Sequence, residues 1–323
     1  MKRLKNIFWL FVLSLFAAAV LRPGFALAQT PYVLNAAGFD AEADVSWPVL
    51  VAQAKGFLAR EGIELKSVRT DKAVMGLLAG SFDVINAEVP AAILAADKGA
   101  NIIAVHMICN RPTQYLVFAK TLTQFRDLEG KNVGVYQVPS MVQLLIKRHL
   151  QKNGVDVSKI NFLRTGGSRE RLASLLAEQS SATTLSTSHV LRAQQDGLRI
   201  LVSPADWERM AWNAIIFRKP WAEANSNVVV RYLRAVHRAT TWLYDPRNFN
   251  DALRTLTSLS GLDDKTMRWG LKSLLENKVF NLSSPDAESF QTVANWYLEE
   301  SLLSKPFNAA SMIETKYHDQ AVP

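Results

Sequence analysis

From residue 32 to residue 202 the apolar positions switch repeatedly between two periods. VLNAAGF (33–39), IELKSVR (63–69), FDVINA (82–87) and NIIAVHM (101–107) are short β-favouring runs bounded by glycine or polar turns, and they read as strands. Between them, PVLVAQAKGFLAREG (48–62), KAVMGLLAGS (72–81) and PAAILAADKG (90–99) place apolar residues at helical spacing. These helices close on Gly62, Gly80 and Gly99, and Pro90 sits at a first-turn position. Alternation of this kind predicts parallel sheets with helices on both faces.

The pattern then runs a second time. NVGVY (132–136), KINFLRT (159–165), ATTLST (182–187) and LRILV (198–202) read as strands. PSMVQLLIKRHLQKNG (139–154), SRERLASLLAEQ (168–179) and SHVLRAQQDG (188–197) read as helices. FLAREGIEL answers HLQKNGVDV, and ILAADKGANIIAV answers VLRAQQDGLRILV, at an offset of 92–98 residues. That offset is too long for a solenoid repeat and suits two similar α/β lobes joined by a hinge. After residue 202 a lone strand, WNAIIFRK (212–219), precedes long helical stretches whose Trp242, Trp269 and Trp296 sit among apolar residues, as core positions do. WNAIIFRK is expected to pair with QYLVFAK (114–120), with chain crossings at 121–126 and 203–209. The domain reading is therefore residues 29–120 for the first part of lobe 1, 121–205 for lobe 2, and 206–323 for the return to lobe 1.

The N-terminus changes the picture of charge and compartment. Lys2, Arg3 and Lys5 precede an apolar run at 7–20, and Ala26-Leu27-Ala28 supplies a small-x-small cleavage signal before Gln29. Residues 1–28 read as an export signal, with no cysteine at the cut to carry a lipid. Its removal takes the formal charge from +8 to about +4. The mature surface has no long run of like charges, so nucleic acid is not an expected partner. Cys109, the single cysteine, lies in an apolar strand pattern and reads as a small buried hydrophobe. One thiol permits neither an internal disulfide nor a cysteine-built metal site, and no metal or cofactor is expected.

VAQAKGFLAREGIEL, LLAGSFDV, AADKGANI and DLEGKNVGV together resemble the periplasmic substrate-binding proteins of ABC importers. They are most similar to the group holding the sulfonate-, nitrate- and taurine-binding proteins and the thiamine-pyrimidine-precursor binders. The resemblance covers residues 32–219. It implies the type II periplasmic-binding-protein fold: two lobes, each a mostly parallel sheet flanked by helices, with a two-stranded hinge. It also implies closure on a small solute and docking on an inner-membrane ABC permease complex, in the periplasm and as a monomer. Two segments depart from the family pattern. The second-lobe helix ends in EQSSA where the family often has Gly, an acid and Ala, and the following strand leads to STSH rather than an acidic-Pro pair.

In open parallel sheets, ligands lie beyond the carboxyl ends of the strands. From lobe 1 this rule selects Trp47, as a stacking aromatic, with Thr70, Asp71, Asn86, Glu88 and Arg111. From lobe 2 it selects Gln137, Ser140, Met141, Gly166, Gly167, Ser186 and Thr187. Ser140 opens a helix without glycines, so it suits a small polar group rather than a polyphosphate. Neither GxxxxGK[ST] nor GxGxxG occurs in the sequence. Arg111 and the helix starts favour an anion, while Asp71 and Glu88 favour an amine or ring N–H, and a zwitterionic or heteroaromatic acid satisfies both. The alternatives are a ligand sensor or scaffold on the same fold, and an enzyme related to pyrimidine-precursor synthases. The single cysteine and the missing GxSxG elbow weigh against the enzyme.

Overall fold

The computed structural model describes residues 31–70 and 72–322. The proposed export signal lies outside these residues. Two five-stranded sheets form the frame. The first has the order β2-β1-β3-β10-β4, built from β1 (Tyr32–Ala37), β2 (Ile63–Val68), β3 (Val84–Glu88), β4 (Ile102–Cys109) and β10 (Asn213–Arg218). The second has the order β7-β6-β8-β5-β9, built from β5 (Tyr115–Phe118), β6 (Asn132–Val135), β7 (Asn161–Arg164), β8 (Ala182–Leu185) and β9 (Arg199–Val202). Every residue of β4 is buried, as expected of a strand covered by helices on both faces.

Each sheet has one inserted strand. β10 runs antiparallel to both β3 and β4, and β5 runs antiparallel to both β8 and β9. The expected pairing of 212–219 with 114–120 therefore does not form. YLVF of β5 is buried at all four positions, and it meets that demand by lying between two strands of the second sheet. The first crossing between sheets thus falls at 110–114, before β5, and the second falls at 203–212. Arg111 ties the two crossings together, its Nη1 donating to the carbonyls of Pro204 (3.4 Å) and Ala205 (3.3 Å).

Helices cover both sheets. In chain order they are α1 (Trp47–Ala54), α2 (Phe57–Arg60), α3 (Ala73–Ala79), α4 (Val89–Asp97), α5 (Met141–Lys152), α6 (Ser168–Leu176) and α7 (Thr187–Gln195). The C-terminal part adds α8 (Lys219–Ala224), α9 (Ser226–Tyr244), α10 (Phe249–Ser260), α11 (Asp264–Glu276), α12 (Ala287–Glu299) and α13 (Lys316–Ala321). Most of this part completes lobe 1: α9 packs on α1, α2 and α13, and α12 packs on α4. α11 instead lies on α7 of lobe 2. Trp296 is buried, and Cys109 is buried and unpaired, both as the sequence suggested. No helix among the described residues is long and apolar enough to cross a membrane.

Candidate functional site

The carboxyl ends of both sheets face one cavity of about 910 Å³. The lobe 1 wall begins after β1. Gly38 turns the chain there with φ +82°, and a Cβ at this position would stand 2.2 Å from the carbonyl oxygen of Asn86. Only glycine lets these two backbones approach so closely. The turn delivers Asp40, Glu42 and Asp44 to the cavity, and β3 delivers Asn86 and Glu88. β10 enters beside β3, with Asn213 opposite Glu88, so Trp212 and Asn213 join the floor. Asn213 Nδ2 donates to Asn86 Oδ1 at 3.3 Å. Tyr297, from α12, also lines this wall.

The lobe 2 wall is built from helix starts. Ser140 caps α5, its Oγ accepting from the Gln143 N–H at 3.2 Å. Ser168 opens α6, and Ser186 and Ser188 flank the first turn of α7. These hydroxyls form a chain. Arg171 Nη2 donates to Ser168 Oγ (2.9 Å), Ser186 Oγ donates to Ser168 Oγ (3.2 Å), and Ser188 Oγ lies 2.9 Å from Ser186 Oγ and 2.8 Å from His189 Nδ1. Tyr136, 52 % exposed, presents a free ring to the same space.

Eight carboxylates and guanidiniums line the cavity, and three of them, Arg171, Glu88 and Asp44, carry shifted pKa values. Arg171 is only 5 % exposed. Its Nε donates to the Thr184 carbonyl (2.8 Å) and its Nη1 to the Gly166 carbonyl (3.2 Å). With the bond to Ser168, three of the five guanidinium N–H groups are used, which leaves two for the cavity. Burial lowers its pKa to about 10, and nearby Glu170 and Glu88 oppose that shift. Glu88 is exposed to the open cavity, and the protein around it raises its pKa by desolvation against the pull of Arg171. Asp44 is buried, and desolvation raises its pKa as well, opposed first by the hydrogen bond from Thr187 (2.7 Å). Among the described residues, none of the three has a salt-bridge partner. The more open Arg69, by contrast, is paired with Asp40 at 2.9 Å. Burial lowers the pKa of His189, helped by Arg169 and Arg171.

Of the residues chosen from sequence, Thr70, Asn86, Glu88, Gln137, Ser140, Met141, Gly167 and Ser186 line the cavity. Asp71 lies outside the described residues. Trp47 does not line it: the side chain is fully buried at the start of α1, with Nε1 donating to the Ala41 carbonyl at 3.2 Å. It is a core anchor, and Trp212, Tyr136 and Tyr297 are the aromatic surfaces at the cavity. Arg111 is occupied at the chain crossing. Gly166 stands one residue behind the wall and gives its carbonyl to Arg171, while Thr187 turns its hydroxyl to Asp44. Arg171 is thus the buried cation of the cavity, which Arg69 and the exposed Arg169 also line. It was missed because it lies one turn inside α6, whereas helical side chains point back toward the N-terminus and bring its head to the helix start. Trp212 and Asn213 were missed for another reason: once β10 is antiparallel, its first residues, not its last, meet the cavity. No cluster of metal-ligating side chains occurs among the described residues.

The lobes also touch at the flank of the cavity. Lys147 pairs with Glu300 at 2.7 Å, and Arg148 pairs with Glu299 while its guanidinium lies 4.6 Å from the centre of the Trp296 ring. These contacts join α5 of lobe 2 to the end of α12.

Solved structures share this architecture. The alkanesulfonate-binding protein SsuA from Xanthomonas axonopodis pv. citri, bound to MOPS, superposes with a TM-score of 0.72 at 20% identity, over 89% of this chain and 100% of that one. The nitrate-binding protein NrtA from Synechocystis PCC 6803 gives 0.75 at 13% identity, over 90% and 88%. A mutant of DszB in complex with biphenyl-2-sulfinic acid gives 0.65 at 13% identity, over 90% and 98%. At these identities the likeness is one of fold. No curated protein matches the sequence. The family model described as NMT1/THI5 like matches residues 44–248, which is more than half of the chain and takes in most of the cavity lining. The chain belongs to the NMT1/THI5-like family.

Proposed function

We propose that this protein is a periplasmic solute receptor, exported by residues 1–28, that closes its two lobes on a small amphoteric organic solute and delivers it to an inner-membrane ABC permease complex. One observation carries the reading: Arg171 and Glu88 face one cavity from opposite lobes, and neither has an ion-pair partner among the described residues. Burying the Arg171 charge is costly unless it is compensated, and closure of the lobes would impose the same cost on Glu88, so both walls suit a group that arrives with the ligand. Arg171 offers two N–H donors to a carboxylate or sulfonate, and Glu88 accepts from an ammonium or a heteroaromatic N–H. Tyr136 supplies flat aromatic surface at the cavity, and the largely buried Trp212 also lines it. A solute that bridges the lobes stabilises the closed arrangement, so its affinity depends on both walls.

The sulfonate and nitrate ligands of structurally similar proteins agree with an anionic pole at Arg171. Glu88 and Asp44 add a requirement that a simple anion does not meet. DszB is an enzyme on this fold. Here the only thiol, Cys109, is buried, does not line the cavity, and has its pKa raised by burial and by Asp44, which disfavours thiolate chemistry. Calorimetry on the mature protein from residue 29 tests the proposal. Amino-sulfonates and aromatic amino acids are expected to bind, while nitrate and plain alkanesulfonates bind weakly. Tight nitrate or alkanesulfonate binding, unchanged in Glu88→Gln, would overturn the amphoteric assignment.

A further inference from the structure

α10 and α11 form a hairpin whose two arms rest on different lobes. α10 packs on α1 of lobe 1, where Asp251 pairs with Lys55 at 2.7 Å. α11 packs on α7 of lobe 2. It is fixed there by the Ser273 hydroxyl, 2.7 Å from that of Tyr115 in β5, and by Trp269, whose ring centre lies 5.1 Å from the Tyr115 ring. The elbow at 261–263 holds the arms together: Gly261 caps α10 with φ +69°, and Asp263 caps α11 by accepting from the Thr266 N–H.

The contact between α11 and α7 is unusually close at one point. Gly270 lies inside α11, where glycine weakens a helix. A Cβ at Gly270 would stand 1.7 Å from Cγ2 of Thr187, but 3.2 Å from its Cβ and 3.7 Å from its Oγ1. The Thr187 methyl therefore fills the place that any larger residue at 270 would take. On its other side, Thr187 donates to Asp44, in the turn that leads into α1. Asp44 lines the cavity, and so do Ser186, Ser188 and His189 beside Thr187.

We infer that Gly270 and Thr187 are positioning residues: the α10–α11 hairpin is a third link between the lobes, and it sets the width of the cavity by seating Thr187 against Asp44. The two chain crossings allow the lobes to rotate. The hairpin holds one arm on the lobe 1 helix that follows Asp44 and the other on the lobe 2 helix that begins at Thr187. Lobe separation and the Thr187–Asp44 bond are then coupled through one steric seat. The inference deepens the receptor reading, because it describes how that same cavity is closed, but its test uses no ligand.

The test is the distance between spin labels on introduced cysteines at Lys72 (lobe 1) and Arg164 (lobe 2), both exposed, in the unliganded mature protein. Gly270→Ala is expected to lengthen the distance or broaden its distribution. Thr187→Val keeps the methyl contact but removes the donor, and is expected to do the same. The double variant Gly270→Ala/Thr187→Ser removes the obstructing methyl and keeps the hydroxyl, so it should restore the original distance. Should Gly270→Ala fail to fold, recovery of folding in the double variant would equally support the seat. An unchanged distance in Gly270→Ala, or a double variant no closer to wild type than the single one, would overturn the inference. Failure of every solute to bind would bear on the receptor reading and leave this result intact.

Discussion

The two walls of the cavity are made by the same architectural rule and carry opposite chemistry. In each lobe, parallel strands end at the cavity and an inserted antiparallel strand completes the sheet. Lobe 1 brings the carboxylates Asp40, Glu42, Asp44 and Glu88 to those ends, with Arg69 paired to Asp40. Lobe 2 brings serines, His189 and the guanidiniums of Arg169 and Arg171, with Glu170 its one carboxylate at the cavity among the described residues. The repeated strand–helix pattern that builds the sheets says nothing of the loops, which are free to diverge because they do not pack the core. One frame thus presents an acid-rich face and a donor-rich face to a shared space. The receptor reading rests on that asymmetry.

The strongest way to break the asymmetry is to remove the buried cation of the lobe 2 wall. Arg171→Ala should weaken binding of an amphoteric solute by roughly 30- to 100-fold, the scale of about 2–3 kcal/mol for charge-assisted hydrogen bonds. It should also lower stability, because the carbonyls of Thr184 and Gly166 lose their donor. Arg171→Lys keeps the charge without the fork, so titration calorimetry should place it between the wild type and the alanine variant.

The next change acts on the opposite wall. Glu88→Gln should weaken the same solute by about tenfold, yet raise the melting temperature of the unliganded protein at neutral pH. The sign follows from the raised pKa: a carboxyl that prefers its proton in the folded state stabilises the fold at low pH and penalises it as pH rises through its folded-state value. For the same reason, binding of a cation-bearing solute should fade as pH falls through that value, at higher pH than an ordinary glutamate would give. A variant that loses both affinity and stability would mean that Glu88 is compensated within the protein.

A pH titration of stability sharpens the contrast from outside the site. His106 is buried in β4 and stacked on His318 (5.6 Å between ring centres), and burial holds its pKa at about 3, with His318 and His237 adding to the shift. A histidine with a depressed folded pKa is protonated only in the unfolded chain between about 6.5 and about 3, so stability is lost as pH falls through that window. Glu88 and Asp44, whose pKa values are raised, act in the opposite sense. Chemical denaturation from about pH 7 to about pH 4 should therefore show a steeper loss in the wild type than in His106→Gln. Parallel curves would remove His106 from the acid response. The smallest expected effect is that of Ser140→Ala, which deletes the α5 cap and should cost about 1 kcal/mol of stability with only a few-fold loss in affinity.

Much of this molecule is legible in its sequence, in proportion to how local the signal is. Strand and helix periodicity, glycine stops and the internal repeat depend on nearby residues, and the two sheets follow from them. Strand partnership is not local. Nothing within YLVF or NAIIFR specifies that each inserts into the other half's sheet, so the pairing of these two strands was misjudged, and Trp212 and Asn213 were missed with it. Loop-end reasoning reaches Glu88, Ser140 and Ser186, which line the cavity and whose positions follow directly from strand ends and helix caps. It overreaches at Trp47, where a hydrophobic residue before a helix is claimed by the core, and at Arg111, whose Nη1 donates to the crossing segment. It stops short at Arg171, which reaches the cavity backward along its helix, and at Tyr297, which arrives from a C-terminal helix remote in sequence. A long side chain and a long-range contact are the two things a loop-based reading does not reach.

The most direct test of the central claim is a matched binding series on the mature protein by titration calorimetry. An amino-sulfonate and an aromatic amino acid would each be compared with one analogue lacking the amine and one lacking the acid. The account predicts that at least one zwitterion binds about ten-fold or more tightly than both of its single-charge analogues, and that Arg171→Ala and Glu88→Gln each erase the difference. An anion-only analogue that binds as tightly as its zwitterion, in both wild type and Glu88→Gln, would contradict it.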